Sequence, residues 1–184
     1  MQIVRPTMEH LASYVAALER GWSPDNTRPE AGREELEQIH ADAVGFIAGQ
    51  EDRDAIGPAI KLSDGSFVNR LPGFHRWMWD GEFCGTIGFR WQKGTNELPP
   101  HCLGHIGYSV VPWKRRLGYA TAALRQVLPE AKSVGLKYVE ITTDLENEAS
   151  QRVILANGGV LVEHFRKPPQ YGGKPSLRFR IELA

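Results

Sequence analysis

The sequence has few cysteines, no excess of charge and no long apolar run. Its two cysteines among 184 residues, Cys84 and Cys102, form no CxxC pair and have no histidine pair nearby at zinc spacing. This pattern argues against a disulfide framework and against a zinc site. Basic and acidic residues number 22 each, whereas a protein that binds mainly nucleic acid or an anionic membrane would carry net positive charge. We therefore predict a soluble, cytoplasmic chain without metal, nucleic-acid or membrane partners.

Two nucleotide-binding motifs are also missing. The sequence contains no GxxxxGK[ST] segment and no GxGxxG after a predicted strand. A P-loop hydrolase and a dinucleotide-binding fold are therefore not expected.

Strand and helix patterns alternate along the whole chain. Apolar spacing predicts helices at residues 8–20, 33–48 and 118–133, and a fourth in the segment NEASQRVILANGG. The third pattern contains Pro129, which predicts either a kinked helix or two short ones. Asp80-Gly81 predicts a hairpin between two strands, and SDGS a turn. This interleaving predicts one α/β domain with a mixed sheet.

A basic turn precedes the third predicted helix. Lys114, Arg115 and Arg116 lie before a helix start, an end that is already electropositive and usually carries acids. No acidic residue occurs between Trp113 and Pro129. Free amides, the small residues Gly118 and Ala120, and adjacent arginines together suit a phosphate group. The alternative is a solvated basic loop before an amphipathic helix.

The segment Arg115-x-x-Gly118-x-Ala120, after a strand that ends in Val110-Val111-Pro112, resembles the pyrophosphate signature [RQ]-x-x-G-x-[GA] of the GNAT acetyltransferase superfamily. The resemblance extends over most of the chain, except about residues 22–70. The segments GHIGYSV and NEAS...NGG look closest to the branch of ribosomal-protein N-acetyltransferases. The resemblance implies a single GNAT-like domain over residues 1–184, with a mixed, mostly antiparallel central sheet and helices on both faces.

The resemblance also implies an enzyme that transfers an acetyl group from acetyl-CoA, as cosubstrate, to a primary amine. The acceptor would be a small-molecule amine or a peptide N-terminus, and a homodimer is one alternative assembly. The residues implied to bind acetyl-CoA are Val110 and Val111 beside the pantetheine arm, Arg115, Arg116, Leu117, Gly118, Tyr119, Ala120 and Thr121 at the pyrophosphate, and Asn147 and Ser150 on the next helix.

The catalytic groups depart from the family's pattern. Ile154 replaces the tyrosine that commonly protonates the leaving thiolate, so that water, Tyr108 or Tyr119 would have to act instead. For the base, His105 occupies the place of the family's frequent glutamate, and histidine has a pKa near working pH. In the alternative interpretation, His105 is a structural residue. The amine then loses its proton through a water held by Asp144 or Glu140, or arrives already neutral. The isoleucine also supports an alternative function, a catalytically idle acyl-CoA-binding module.

Overall fold

The computed structural model describes residues 1–26, 28–61 and 65–183. Ten strands and five helices follow one another along these residues, with short 3-10 turns at Pro112–Lys114 and Pro169–Tyr171. In chain order they are β1 (Gln2–Val4), α1 (Met8–Glu19), α2 (Ala31–Ala41), α3 (Ala43–Ala48), β2 (Glu51–Asp52), β3 (Ile60–Lys61), β4 (Phe67–Val68), β5 (Gly73–Trp79), β6 (Phe83–Arg90), β7 (Ile106–Val110), α4 (Tyr119–Ser133), β8 (Tyr138–Asp144), α5 (Glu148–Leu155), β9 (Val160–Arg166) and β10 (Pro175–Glu182).

The strands form two main sheets. The first has the order β1-β5-β6-β7, with β2 also paired to β5, and the second has the order β8-β10-β9. The described pairs are antiparallel, and β3 and β4 form a separate hairpin. The tight β5–β6 turn uses Gly81 at a φ of 117°, which glycine adopts without a side-chain clash. The predicted fold class is confirmed, and so is the hairpin at Asp80-Gly81.

Helices cover both faces of the first sheet. Neighbouring residues on a strand point to opposite faces, and the two buried residues Trp77 and Met78 of β5 join different apolar clusters. Trp77 packs with α1, where the Tyr14 ring stacks on it at 4.3 Å between centroids. Met78 packs in the cluster that contains Leu124 of α4. The sheet thus separates two apolar layers, and the division of residues 1–184 into one domain stays a prediction.

The prediction of one continuous helix over residues 33–48 is wrong, because the segment forms two helices that divide at Asp42. The backbone of Asp42 has a φ of −156° and a ψ of 86°, and its carboxylate accepts a 2.8 Å hydrogen bond from the Gly45 amide. Asp42 therefore caps the start of α3 and ends α2, although the apolar spacing continues across it. Local side-chain capping outweighs the periodicity here.

The segment after α3 contributes β2 to the edge of the first sheet. Two further expectations concern Pro129 and the SDGS turn. Helix α4 runs through Pro129 without dividing. The predicted SDGS turn lies partly outside the described residues. None of the helices in the described ranges is long and apolar enough to cross a membrane.

Candidate active site

A gap opens between β7 and β8, which are the terminal strands of the two sheets. At the closed end of the gap, His105 bonds twice to the backbone of Glu140. The His105 amide donates to the Glu140 carbonyl at 2.7 Å, and the Glu140 amide donates to Nδ1 of His105 at 2.9 Å. Beyond His105 the two strands separate along the length of β7.

Backbone amides alternate in direction along β7, so only every second amide faces the gap. At the end of the strand, Val111 donates its amide to the Cys84 carbonyl at 3.0 Å and has a fully buried side chain. Because alternate residues of an antiparallel strand bond to the same neighbour, the amides of Tyr108 and Val110 point away from β6. The Val110 amide is thus directed toward the gap, whereas the Val111 amide is already bonded to β6.

The basic turn presents unpaired amides to open space. Gly118 precedes α4 at a φ of 77° and Arg116 has a φ of 65°. The first hydrogen bond of the helix runs from the Ala122 amide to the Gly118 carbonyl at 3.0 Å. Within the described part of the chain no acceptor reaches the amides of residues 116–121. A row of helix-start donors of this kind suits a phosphate group.

The three cations before α4 have different roles. Lys114 binds the β5–β6 turn, at 3.0 Å from Asp80 and 2.8 Å from Glu82. The Tyr119 hydroxyl also donates to Asp80 at 2.6 Å, and this bond together with Lys114 holds the pKa of the Asp80 carboxyl well below its usual range. Among the described residues no carboxylate pairs with Arg115 or Arg116. Two arginines therefore remain for an anion at the turn.

A cavity of about 630 Å³ extends from α5 past β7 to α2. Of the predicted site residues, it brings together Tyr108, Asn147 and Ser150. The Tyr108 hydroxyl lies 2.9 Å from the Ser150 hydroxyl, and burial raises the pKa of Tyr108 to about 12. The Asn147 side chain caps α5 by accepting from the Ser150 amide at 3.1 Å. The other predicted residues, Leu117, Gly118, Tyr119, Ala120 and Thr121, lie on the basic turn and the start of α4.

His105 does not line this cavity. Its side chain is 1% exposed, and burial lowers its pKa to about 4. Its Nδ1 atom is already occupied by the Glu140 amide. These contacts count against its predicted role as the base and favour the structural alternative.

The two other acids proposed for the base are paired with cations. Glu140 binds Arg178 at 3.2 Å and Arg180 at 2.8 Å. Asp144, which lines the cavity, binds Lys167 at 2.5 Å. The Lys167 ammonium helps hold the pKa of the Asp144 carboxyl below its usual value, which makes Asp144 a weaker proton acceptor.

The burial of His105 predicts a pH dependence of stability. Because its pKa is near 4 when folded and near 6.5 when unfolded, the unfolded chain binds more protons between these values. The free energy of unfolding should therefore fall by about 3 kcal/mol from pH 6.5 to pH 4 through this residue. Urea unfolding at several pH values measures the effect. His105→Asn should lose that part of the slope, and equal slopes in both proteins would contradict the prediction.

Helices α1 and α2 supply a wall of the cavity that no prediction from the sequence includes. The Tyr14 hydroxyl donates to the Glu35 carboxylate, and both residues line the cavity. Asn26 donates its side-chain amide to the Tyr108 carbonyl at 3.4 Å. Glu35 and Asn26 lie in the segment 22–70, outside the motifs that carry the resemblance, and no sequence signal marks them. In the described residues no group of three His, Cys, Asp or Glu side chains could hold a metal ion.

The comparisons with known proteins agree with this geometry. The sequence model of a family described as "Acetyltransferase (GNAT) domain" matches residues 3–160, and no curated protein sequence matches the chain. Similar solved structures include RimL, a ribosomal L7/L12 alpha-N-protein acetyltransferase in complex with coenzyme A, with 12% identity and a TM-score of 0.62 over 98% of this chain and 93% of that one.

Two other similar structures contain acetyl-CoA. The microcin C7 self-immunity acetyltransferase MccE, in complex with acetyl-CoA and AMP, is 14% identical with a TM-score of 0.59, over 98% of this chain and 91% of that one. The putative acetyltransferase yncA from Salmonella typhimurium is 13% identical with a TM-score of 0.55, over 100% of this chain and 94% of that one. At these identities the likeness establishes the fold.

Proposed function

The chain belongs to the GNAT acetyltransferase family, and from this premise we propose that it transfers an acetyl group from acetyl-CoA to the primary amine of a small molecule or of a peptide N-terminus. Family membership confirms the resemblance predicted from Arg115-x-x-Gly118-x-Ala120. The fold likeness to RimL supports a place near the ribosomal-protein branch. The observation that carries the proposal is the row of free amides at residues 116–121, which follows β7, the strand whose Tyr108 lines the cavity.

The basic turn and the gap fit the two polar parts of acetyl-CoA. The amides of residues 116–120 and the side chains of Arg115 and Arg116 would bind the pyrophosphate. The amides of Tyr108 and Val110 would bond the pantetheine arm as an added strand does. A side chain placed at Gly118 would meet no protein atom within 4 Å, so that this position is open to a ligand.

Acetyl-CoA would supply the thioester, and the residues of the chain would supply hydrogen-bond donors to it. A backbone amide of β7 facing the gap can bond the carbonyl oxygen as that oxygen gains negative charge. The Tyr108 hydroxyl is protonated at neutral pH, since its pKa is about 12, and can donate its proton to the departing sulfur. Tyr119 is less suited to this role because its hydroxyl is bonded to Asp80.

The idle-module alternative rests on Ile154. This side chain is fully buried in the core and cannot donate a proton. Tyr108 places a hydroxyl in the same cavity as Ser150, on the neighbouring α5 helix, and so offers the missing donor from another element. An acetyltransferase reaction is therefore the function that the site supports best.

Replacing Gly118 with valine should weaken acetyl-CoA binding by at least tenfold. A β-branched residue rarely adopts the positive φ of this position, so the turn would change and its amides would no longer converge. Calorimetric titration of acetyl-CoA measures the change.

Gly135→Val is the matched control for this experiment. Gly135, beyond the other end of α4, has a φ of 91° and equally open space around it. Its replacement carries the same kind of backbone strain and should leave the dissociation constant near that of the native protein. An unchanged constant in a folded Gly118→Val protein would contradict the placement of the pyrophosphate. Thiol release with a panel of primary amines then tests the transfer itself.

A further inference from the structure

Glu35 on α2 is a carboxylate fixed in place at the wall of the cavity. One of its oxygens, Oε2, accepts a hydrogen bond from the Tyr14 hydroxyl. Tyr14 is 2% exposed and its ring is stacked on Trp77, at 4.3 Å between centroids, with Phe83 edge-on at 4.9 Å. Because this packing fixes the position of the hydroxyl, it also fixes that of the carboxylate.

None of the cations in the described residues neutralises Glu35. Its neighbour Glu34 is bound at both oxygens by Arg28, at 2.6 and 2.7 Å. In contrast, no Lys, Arg or His nitrogen of the described residues lies within 4.0 Å of the Glu35 carboxylate. Its Oε1 atom receives no hydrogen bond from those residues either. A half-buried carboxylate without a cationic partner is unfavourable, and a ligand that carries a cation would relieve this cost.

The wall that carries Glu35 is attached to the strand beside the gap. Before α2, the Trp22 indole donates to the Ser109 hydroxyl at 3.2 Å, and that hydroxyl donates to Asn26 at 3.1 Å. Asn26 in turn donates to the Tyr108 carbonyl at 3.4 Å. These bonds hold the segment before α2 against the middle of β7. Glu35 and Tyr108 therefore face one cavity from two elements that are directly connected.

We infer that Glu35, held by Tyr14, binds the ammonium group of the acceptor and takes its proton before the amine attacks the thioester. This inference rests on the proposed function and names the group that receives the acceptor. The ammonium loses one proton to Oε1 of Glu35, and the neutral nitrogen forms the bond to the acetyl carbon. The carbon–sulfur bond breaks as the Tyr108 hydroxyl gives its proton to the sulfur, and the second proton lost by the nitrogen returns to the Tyr108 oxygen. Glu35 then releases its proton to water.

The surroundings of Glu35 suit a proton acceptor. Its pKa is raised above the usual value, mainly by burial and further by the negative charge of Glu34, while the bond from Tyr14 acts in the opposite direction. Other titratable and charged groups face the cavity from the loop before α2, from β5 and β6, and from the second sheet: Asp25, Arg28, His75, Arg90, Asp144 and Lys167. A carboxylate with a raised pKa is closer to working pH and hence a better base.

Glu35→Gln tests the inference, because glutamine still accepts from Tyr14 but cannot take a proton. With one amine that the native protein acetylates, kcat/KM should fall by about two to four orders of magnitude. The acid limb of the pH–rate profile should disappear, and acetyl-CoA affinity should stay within about threefold. Glu37→Gln is the matched control, since it removes the same charge from an exposed position of the same helix and should change neither quantity.

Tyr14→Phe tests the same inference through the acid limb of the pH–rate profile, which would not shift if Glu35 had only a structural role. Loss of the hydroxyl removes a bond that favours the ionised carboxylate, so the acid limb should shift to higher pH. A folded Glu35→Gln protein that keeps kcat/KM within about threefold and keeps its acid limb would overturn the assignment of Glu35 alone. If the native protein released no thiol with a polyamine, an amino-acid amide or a peptide with a free N-terminus, the proposed function and this inference would fall together.

Discussion

Tyr108→Phe should lower kcat by about two to three orders of magnitude, while acetyl-CoA affinity stays nearly unchanged. The phenylalanine keeps the ring and the backbone amide of β7 but removes the hydroxyl that lies 2.9 Å from Ser150. Without that hydroxyl the thiolate must leave unprotonated or take its proton from water. Steady-state thiol release, with calorimetric titration of acetyl-CoA, separates the catalytic effect from binding.

Tyr119→Phe is the matched control for the loss of a tyrosine hydroxyl. That hydroxyl donates to Asp80 at the β5–β6 turn and does not face the cavity. Its removal should leave the protonation of the leaving group unaffected. An acetyl thioester of a more acidic thiol should reduce the deficit of Tyr108→Phe, because a weaker base leaves without help. A Tyr108→Phe enzyme with native kcat would contradict the assignment of the acid.

His105→Ala should lower the free energy of unfolding by about 2–4 kcal/mol while leaving kcat within a few fold. The substitution creates a cavity in the core and leaves the Glu140 amide without its 2.9 Å acceptor at the closed end of the gap. The catalytic prediction made from the sequence expects the reverse, a fall in kcat by about two to four orders of magnitude. Urea unfolding and steady-state kinetics on one preparation decide between the two expectations.

His105→Asn refines that comparison. The side-chain oxygen of asparagine can occupy nearly the position of Nδ1 and accept from the Glu140 amide, so the loss of stability should be smaller than for alanine. If asparagine restores stability and both variants keep kcat, His105 joins the two sheets and takes no part in proton transfer. If kcat falls by a hundredfold or more in both folded variants, His105 is the base after all.

The part of the candidate site that is built from residues close together in the sequence could be predicted from the sequence. The strand ending at Val110, the turn with Gly118 and the helix after it are contiguous, and a glycine next to a helix start specifies that conformation through its own backbone. The cap formed by Asn147 is local in the same way, because its partner Ser150 lies three residues later. Family, fold class and cosubstrate follow from this contiguous half.

The sequence by itself therefore determined the fold and the conformation of the turn before α4, and the tertiary structure decided which side chains meet. Tyr14 and Glu35 are 21 residues apart, Lys114 and Asp80 are 34, and Asn26 and Tyr108 are 82. No periodicity or motif encodes such pairs, because they depend on how helices and turns pack across the sheet. Tertiary packing also counts against the predicted role of His105: its residue type suits a base, but burial between two diverging sheets lowers its pKa, and the Glu140 amide occupies its Nδ1.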